Sequence, residues 1–160
     1  MKVYRLSKSE YSDELTGTGA ALFGGRWNPK GFPMIYTASS ISLTILEFMA
    51  HNFHLMPSLN LTLCVIQLPD ELSIESIEKE YLPKHWNKPL QSQKFTQGIG
   101  AEFLKAKRAY ALKVPSALVP QEFKLLLNPN HPLHQSTQIM DQISPFRLDE
   151  RIFGFSEDMD

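Results

Sequence analysis

Apolar and polar positions in this chain follow two periods, and the switch between them marks the elements. Val3–Leu6 is a short strand candidate, and Pro33-Met34-Ile35-Tyr36-Thr37-Ala38 reads as a buried strand. Ser39 or Ser40 then caps a helix running to about Phe53, with Leu43, Leu46 and Ala50 beside Ile45, Phe48 and Met49 as a broad apolar face. Leu61–Leu68 is apolar on both faces, the mark of a central strand. Tyr110–Val114 is a strand stopped by Pro115, and Glu122–Leu127 another stopped by Asn128-Pro129. Between these, Ser73–Tyr81 is amphipathic and predicts a short helix, and Leu82–Lys94 an irregular loop. Thr96 is placed to cap a helix from about Gln97 to Lys107, although Gly98 and Gly100 weaken its first turn. Gly17–Gly31 predicts a long loop, and Thr137–Phe153 one or two strands around Pro145. Helices and strands mix without a strict βαβ alternation, so the pattern predicts an α+β fold, a single mixed-sheet domain.

Length and charge narrow the classes. With 160 residues the chain suits one domain, expected over residues 1–155, followed by a frayed acidic tail at 156–160. Sixteen Lys+Arg against seventeen Asp+Glu leave a net charge of -1. That balance removes the main electrostatic argument for direct DNA binding or for an anionic membrane, while a nucleotide needs only one or two cations in a pocket. Cys64 is the only cysteine, which excludes an intrachain disulfide. The five histidines show no metal spacing, so no metal site is expected. Met1-Lys2-Val3-Tyr4-Arg5 lacks an apolar signal region, and Met34–Ala50 is interrupted by Ser39, Ser40, Ser42, Thr44 and Glu47. The expected location is cytoplasmic.

Three constellations could carry chemistry. In Gly24-Gly25-Arg26-Trp27-Asn28-Pro29-Lys30-Gly31, glycines let a guanidinium and backbone approach phosphate or ribose hydroxyls; the same residues also suit a turn with a structural ion pair. The spacing fits neither a Walker loop nor a dinucleotide fingerprint. Glu47, within Ile45-Leu46-Glu47-Phe48-Met49-Ala50, is a carboxylate with apolar neighbours on every side, costly to bury unless paired or used, or else reaching water at the margin of the face. Ser116, after the strand ending at Val114-Pro115, stands either at a pocket mouth or in an ordinary turn. No Gly-x-Ser-x-Gly elbow is present.

Taken in order, Tyr4-Arg5, Gly25 to Gly31, Ile35-Tyr36-Thr37-Ala38, Leu46-Glu47, Leu82-Pro83-Lys84-His85-Trp86, Val114-Pro115-Ser116-Ala117, Asn128-Pro129-Asn130-His131-Pro132 and Phe146-Arg147-Leu148-Asp149-Glu150-Arg151 resemble the RES domain, from Val3 to Phe153. That family is named for an Arg, a Glu and a Ser, matched here by Arg26, Glu47 and Ser116. The resemblance implies a branch of the ADP-ribosyltransferase fold and a toxin of a bacterial toxin–antitoxin pair that acts on NAD+ as substrate, with no separate cofactor. It implies that Arg26, Tyr36, Glu47 and Ser116 are the catalytic set, and that Arg5, Arg26, Tyr36 and Asn128 bind NAD. It also implies an Xre-type helix-turn-helix antitoxin as partner, which would carry the DNA binding and is expected to cover the cleft; a homodimer within the complex stays open. Two departures stand out: Gly100-Ala101-Glu102-Phe103 where members often have an Asp and a Trp, and Lys124 where Asn is common.

The expected reaction, cleavage of the nicotinamide–ribose bond by hydrolysis or phosphorolysis, suits one carboxylate. Nicotinamide departs neutral, so the leaving group needs no paired acid. Glu47 would stabilise an oxocarbenium-like transition state, Arg26 hold a ribose hydroxyl or the pyrophosphate, Tyr36 face the nicotinamide, and Ser116 orient Glu47 or the ribose. Transfer of ADP-ribose to a protein is the alternative. RNA cleavage would call for a basic groove, and the basic residues cluster only at Lys105-Ala106-Lys107-Arg108; the remaining reading is a non-catalytic binding toxin.

Overall fold

A computed structural model of the chain describes residues 1–88 and 93–154. The expected acidic tail therefore lies outside the described residues, as does part of the irregular run predicted over 82–94. Seven strands form one mixed sheet: β1 (Lys2–Lys8), β2 (Ile35–Ala38), β3 (Leu61–Gln67), β4 (Ile74–Ser76), β5 (Ala111–Pro115), β6 (Phe123–Leu127) and β7 (Gln138–Ile143). Their spatial order is β4-β5-β6-β2-β1-β3-β7, antiparallel except for the β4/β5 pair. Among the described residues three α-helices accompany them: α1 (Thr18–Phe23), α2 (Ile41–Asn52) and α3 (Gln93–Ala106). The expected α+β class holds.

Period-2 alternation divides the core. Val3, Ile35, Cys64, Ile66, Leu125 and Leu127 pack on one face. On the other, Leu112, Val114 and Leu126 meet Trp27, Met34 and Phe103 of the loop and α3, while Leu6, Leu61 and Leu63 meet Ile45, Phe48 and Met49 of α2. Ser40 begins α2 as expected, its Oγ accepting the Leu43 N–H at 3.1 Å.

Three expectations need correction. The Gly17–Gly31 stretch contains helix α1, because Ala20, Ala21, Leu22 and Phe23 are compatible with a helical turn despite flanking glycines. Ser73–Tyr81 is not a helix: Ile74–Ser76 pairs as an edge strand with β5 and only Lys79–Tyr81 turns helically, as a 3-10 turn. Thr96 is not a cap; α3 extends back to Gln93, and the Thr96 hydroxyl lies inside it, donating to Arg26 O at 2.6 Å. The tail supplies one strand, β7, within the one or two expected, and it ends two residues before Pro145.

Candidate active site

A cleft of about 1050 Å³ opens between α2, the 24–28 loop and the sheet, lined among others by Arg26, Tyr36, Glu47, His51, Asn87 and Lys124. The loop is held by α3 from behind. Thr96 Oγ1 grips Arg26 O, and Gln97 Nε2 donates to Gly25 O at 2.8 Å. Glycine is required at 25, since a Cβ there would stand 2.6 Å from the Tyr36 hydroxyl oxygen. This close approach anchors Tyr36: its hydroxyl donates to Asn28 Oδ1 at 2.7 Å and accepts from Trp27 N at 3.1 Å. Asn28, fully buried, completes the knot by donating to Ala20 O and Phe32 O. Burial drives the Tyr36 phenol well above its ordinary range, so it stays protonated, and what it offers the cleft is its ring.

Arg26 extends from this loop and donates through Nη1 to Trp86 O at 2.7 Å and through Nη2 to Asn87 O at 3.3 Å. With a longer bond from Nη1 to Lys88 O at 3.5 Å, three of its five N–H donors fix the guanidinium plane, leaving two for a ligand. Burial lowers its pKa while the Glu47 carboxylate opposes that shift, so the two side chains share one electrostatic environment.

Glu47 projects from α2 with both oxygens engaged. Ser116 Oγ donates to Oε1 at 2.7 Å and Lys124 Nζ to Oε2 at 2.9 Å. The serine proton is directed at Glu47 because Ser116 Oγ itself accepts the N–H groups of Leu118 and Val119. Ser116 is fully buried and acts through Glu47. Lys124 enters from β6 between Ala38 and Val114 and stands 5.2 Å from the centre of the Tyr36 ring. A rigid carboxylate, an aromatic face and a guanidinium on one hollow form an arrangement fit to hold a nucleotide and stabilise positive charge on its sugar.

Of the other expected NAD-binding residues, one lies outside the cleft and one at its border. Asn128 is fully buried outside the cleft, its amide donating to Leu104 O and its carbonyl accepting from Asn130 N, so it closes a turn after β6. Arg5 borders the cleft, yet its guanidinium donates to Glu14 O at 2.7 Å and Tyr11 O at 3.3 Å. Its pairing with Cys64 puts that side chain on the sheet face of Val3, opposite α2. Lys124, noted in the sequence only as a departure, belongs to the site; a single charge within Phe123-Lys124-Leu125-Leu126-Leu127 was the available signal. Among the described residues no cluster of three or more His, Cys, Asp or Glu could hold a metal ion, and no helix is long and apolar enough to cross a membrane.

Several known proteins are similar to this chain. The chain is 38% identical over 130 residues to a "Toxin Res" of Photorhabdus laumondii subsp. laumondii, covering 81% of this chain and 82% of that one. It is 39% identical over 124 residues to the "Prs ADP-ribosylating toxin" of a Sphingobium species, covering 76% of each. In fold it is similar to a chain in the crystal structure of the M. tuberculosis MbcT–MbcA toxin–antitoxin complex, with a TM-score of 0.74 at 21% identity, over 96% of this chain and 86% of that one. The RES domain matches residues 2–149, which takes in the loop arginine, the α2 carboxylate and the buried serine alike, and the chain belongs to the RES-domain family of toxins.

Proposed function

We propose that this toxin cleaves the bond between nicotinamide and ribose in NAD+. The observation that carries the reading is Glu47, a carboxylate oriented by a buried serine and facing a cleft shared with Arg26 and Tyr36. Positive charge spreads over the ribose C1′ and ring oxygen as the bond stretches, and a preorganised anion in a poorly solvated wall stabilises it most at that moment. Arg26 binds the pyrophosphate or a ribose hydroxyl, and Tyr36 offers its face to the pyridinium ring. The departing nicotinamide carries away the bonding electron pair and is neutral. Water or phosphate then attacks C1′.

The relative named for ADP-ribosylation supports the same first step and favours a second acceptor, a protein side chain, without altering the roles above. A toxin that consumes NAD+ harms its own cell, and the similarity to a chain of a toxin–antitoxin complex supports an antitoxin partner; that this partner is of the helix-turn-helix Xre type and covers the cleft is part of the proposal. The test is to incubate the purified chain with NAD+, with and without phosphate, and to identify products by mass spectrometry. Free nicotinamide with ADP-ribose or its 1″-phosphate supports the reading. NAD+ left intact without a protein acceptor, but consumed with one, selects the transferase. NAD+ left intact in both contradicts it.

A further inference from the structure

Positive charge already sits where this reaction needs it stabilised. Lys124 Nζ lies 2.9 Å from Glu47 Oε2 and 5.2 Å from the centre of the Tyr36 ring, between the carboxylate and the aromatic face of the site. Both side chains of the pair are only 14% exposed, so the ammonium is held by these two groups more than by water. The neighbours of Lys124 along β6 are apolar, and its backbone is fixed in the ladder between Ala38 and Val114. A lysine stem has four rotatable carbons, so the charge can leave Glu47 while the strand stays in place.

We propose that Lys124 is an internal substitute for the substrate's positive charge: in the free protein its ammonium occupies the position between Glu47 and Tyr36, and a pyridinium nucleotide must displace it to reach the carboxylate. The inference rests on the NAD+ reading above and names a competition within that site. The lysine keeps Glu47 paired when no substrate is bound, and weakens the binding of every ligand whose cation requires the same place. A ligand with the same nucleotide body and a neutral ring has no cation to exchange and is indifferent to the charge of Lys124.

The test compares two such ligands by isothermal titration calorimetry. One is the carbocyclic analogue of NAD+, which keeps the pyridinium charge and resists cleavage; the other is NADH, whose dihydronicotinamide ring is neutral. Lys124→Met is expected to tighten the analogue about tenfold while NADH changes by less than about twofold, as removing one close like charge dictates. Lys124→Gln, a second neutral variant, is expected to follow Lys124→Met, and Lys124→Arg, which keeps the charge, to follow the wild type. Equal shifts for both ligands, or weaker analogue binding in the neutral variants, would overturn the inference and leave the NAD+ reading in place. Failure of the wild type and every variant to bind either ligand would overturn the NAD+ reading and this inference with it.

Discussion

Glu47 owes its position to a residue that lies behind the cleft wall. Ser116 accepts two backbone N–H groups and passes one hydrogen bond forward to the carboxylate, so Ser116→Ala should lower kcat for nicotinamide release by about tenfold while KM stays nearly constant. The same change removes the acceptor of two part-buried N–H groups, and urea unfolding should show a loss of about 1–3 kcal/mol for the two bonds together. Asn128→Ala makes the complementary case. It breaks the bonds to Leu104 O and Asn130 N, so stability should fall by a similar amount, about 1–3 kcal/mol, with the kinetic constants for NAD+ unchanged. A shift in KM would return Asn128 to the binding site. At this scale the sequence discloses Glu47 and Arg26 because a carboxylate among Leu46 and Phe48, and an arginine among glycines, each need an explanation. It does not separate a ligand-binding asparagine from a turn asparagine, since both follow a strand and precede Pro129. Arg5 was ambiguous for a related reason: only strand pairing decides which sheet face it takes.

Among the elements, α3 holds the loop that carries Arg26, and it does so partly with a residue that looks like a defect. Gly100 weakens the helix on propensity, yet a Cβ at that position would stand 1.6 Å from Trp27 O, so the helix sits directly against the site loop. Gly100→Ala should therefore push α3 off the loop, lowering the thermal midpoint by the equivalent of about 1–3 kcal/mol and reducing NAD+ turnover together. Retained stability and activity would show that the loop does not depend on this contact. Elements with long, consistent patterns were legible: α2 with its serine cap, and β3, β5 and β6 with their apolar runs. Short or mixed ones were not. Helix α1 has six residues between glycines, and β4 has three paired along one edge, where tertiary contact outweighs local preference.

Across the whole molecule, residues remote in the chain are joined by a buried polar network as well as by the sheet. His134 Nε2 lies 2.8 Å from Leu15 O, and its Nδ1 2.9 Å from the hydroxyl of the buried Tyr110. Burial lowers the imidazole pKa, with the Leu15 hydrogen bond opposing, so the folded protein binds this proton less readily than the unfolded chain. The stabilisation is full above the ordinary histidine pKa of about 6.5 and is lost as pH falls through the lower folded value. Urea midpoints should accordingly fall on acidification through and below that range, and His134→Gln should flatten the fall; an equal slope in both proteins would assign the effect elsewhere. No sequence pattern joins Leu15 to His134, because the contact exists only once the sheet has formed. The mixed-sheet class and the convergence of Arg26, Tyr36 and Glu47 could be anticipated, whereas the Lys124 pair required the strand register. Cleavage depends most on the α2 carboxylate acting on the sugar cation, and the rate of nicotinamide release from NAD+ by Glu47→Gln tests that most directly. The predicted result is a loss of about 10²–10³ in kcat with an unchanged circular dichroism spectrum. Turnover equal to the wild type, from an equally folded protein, would contradict it.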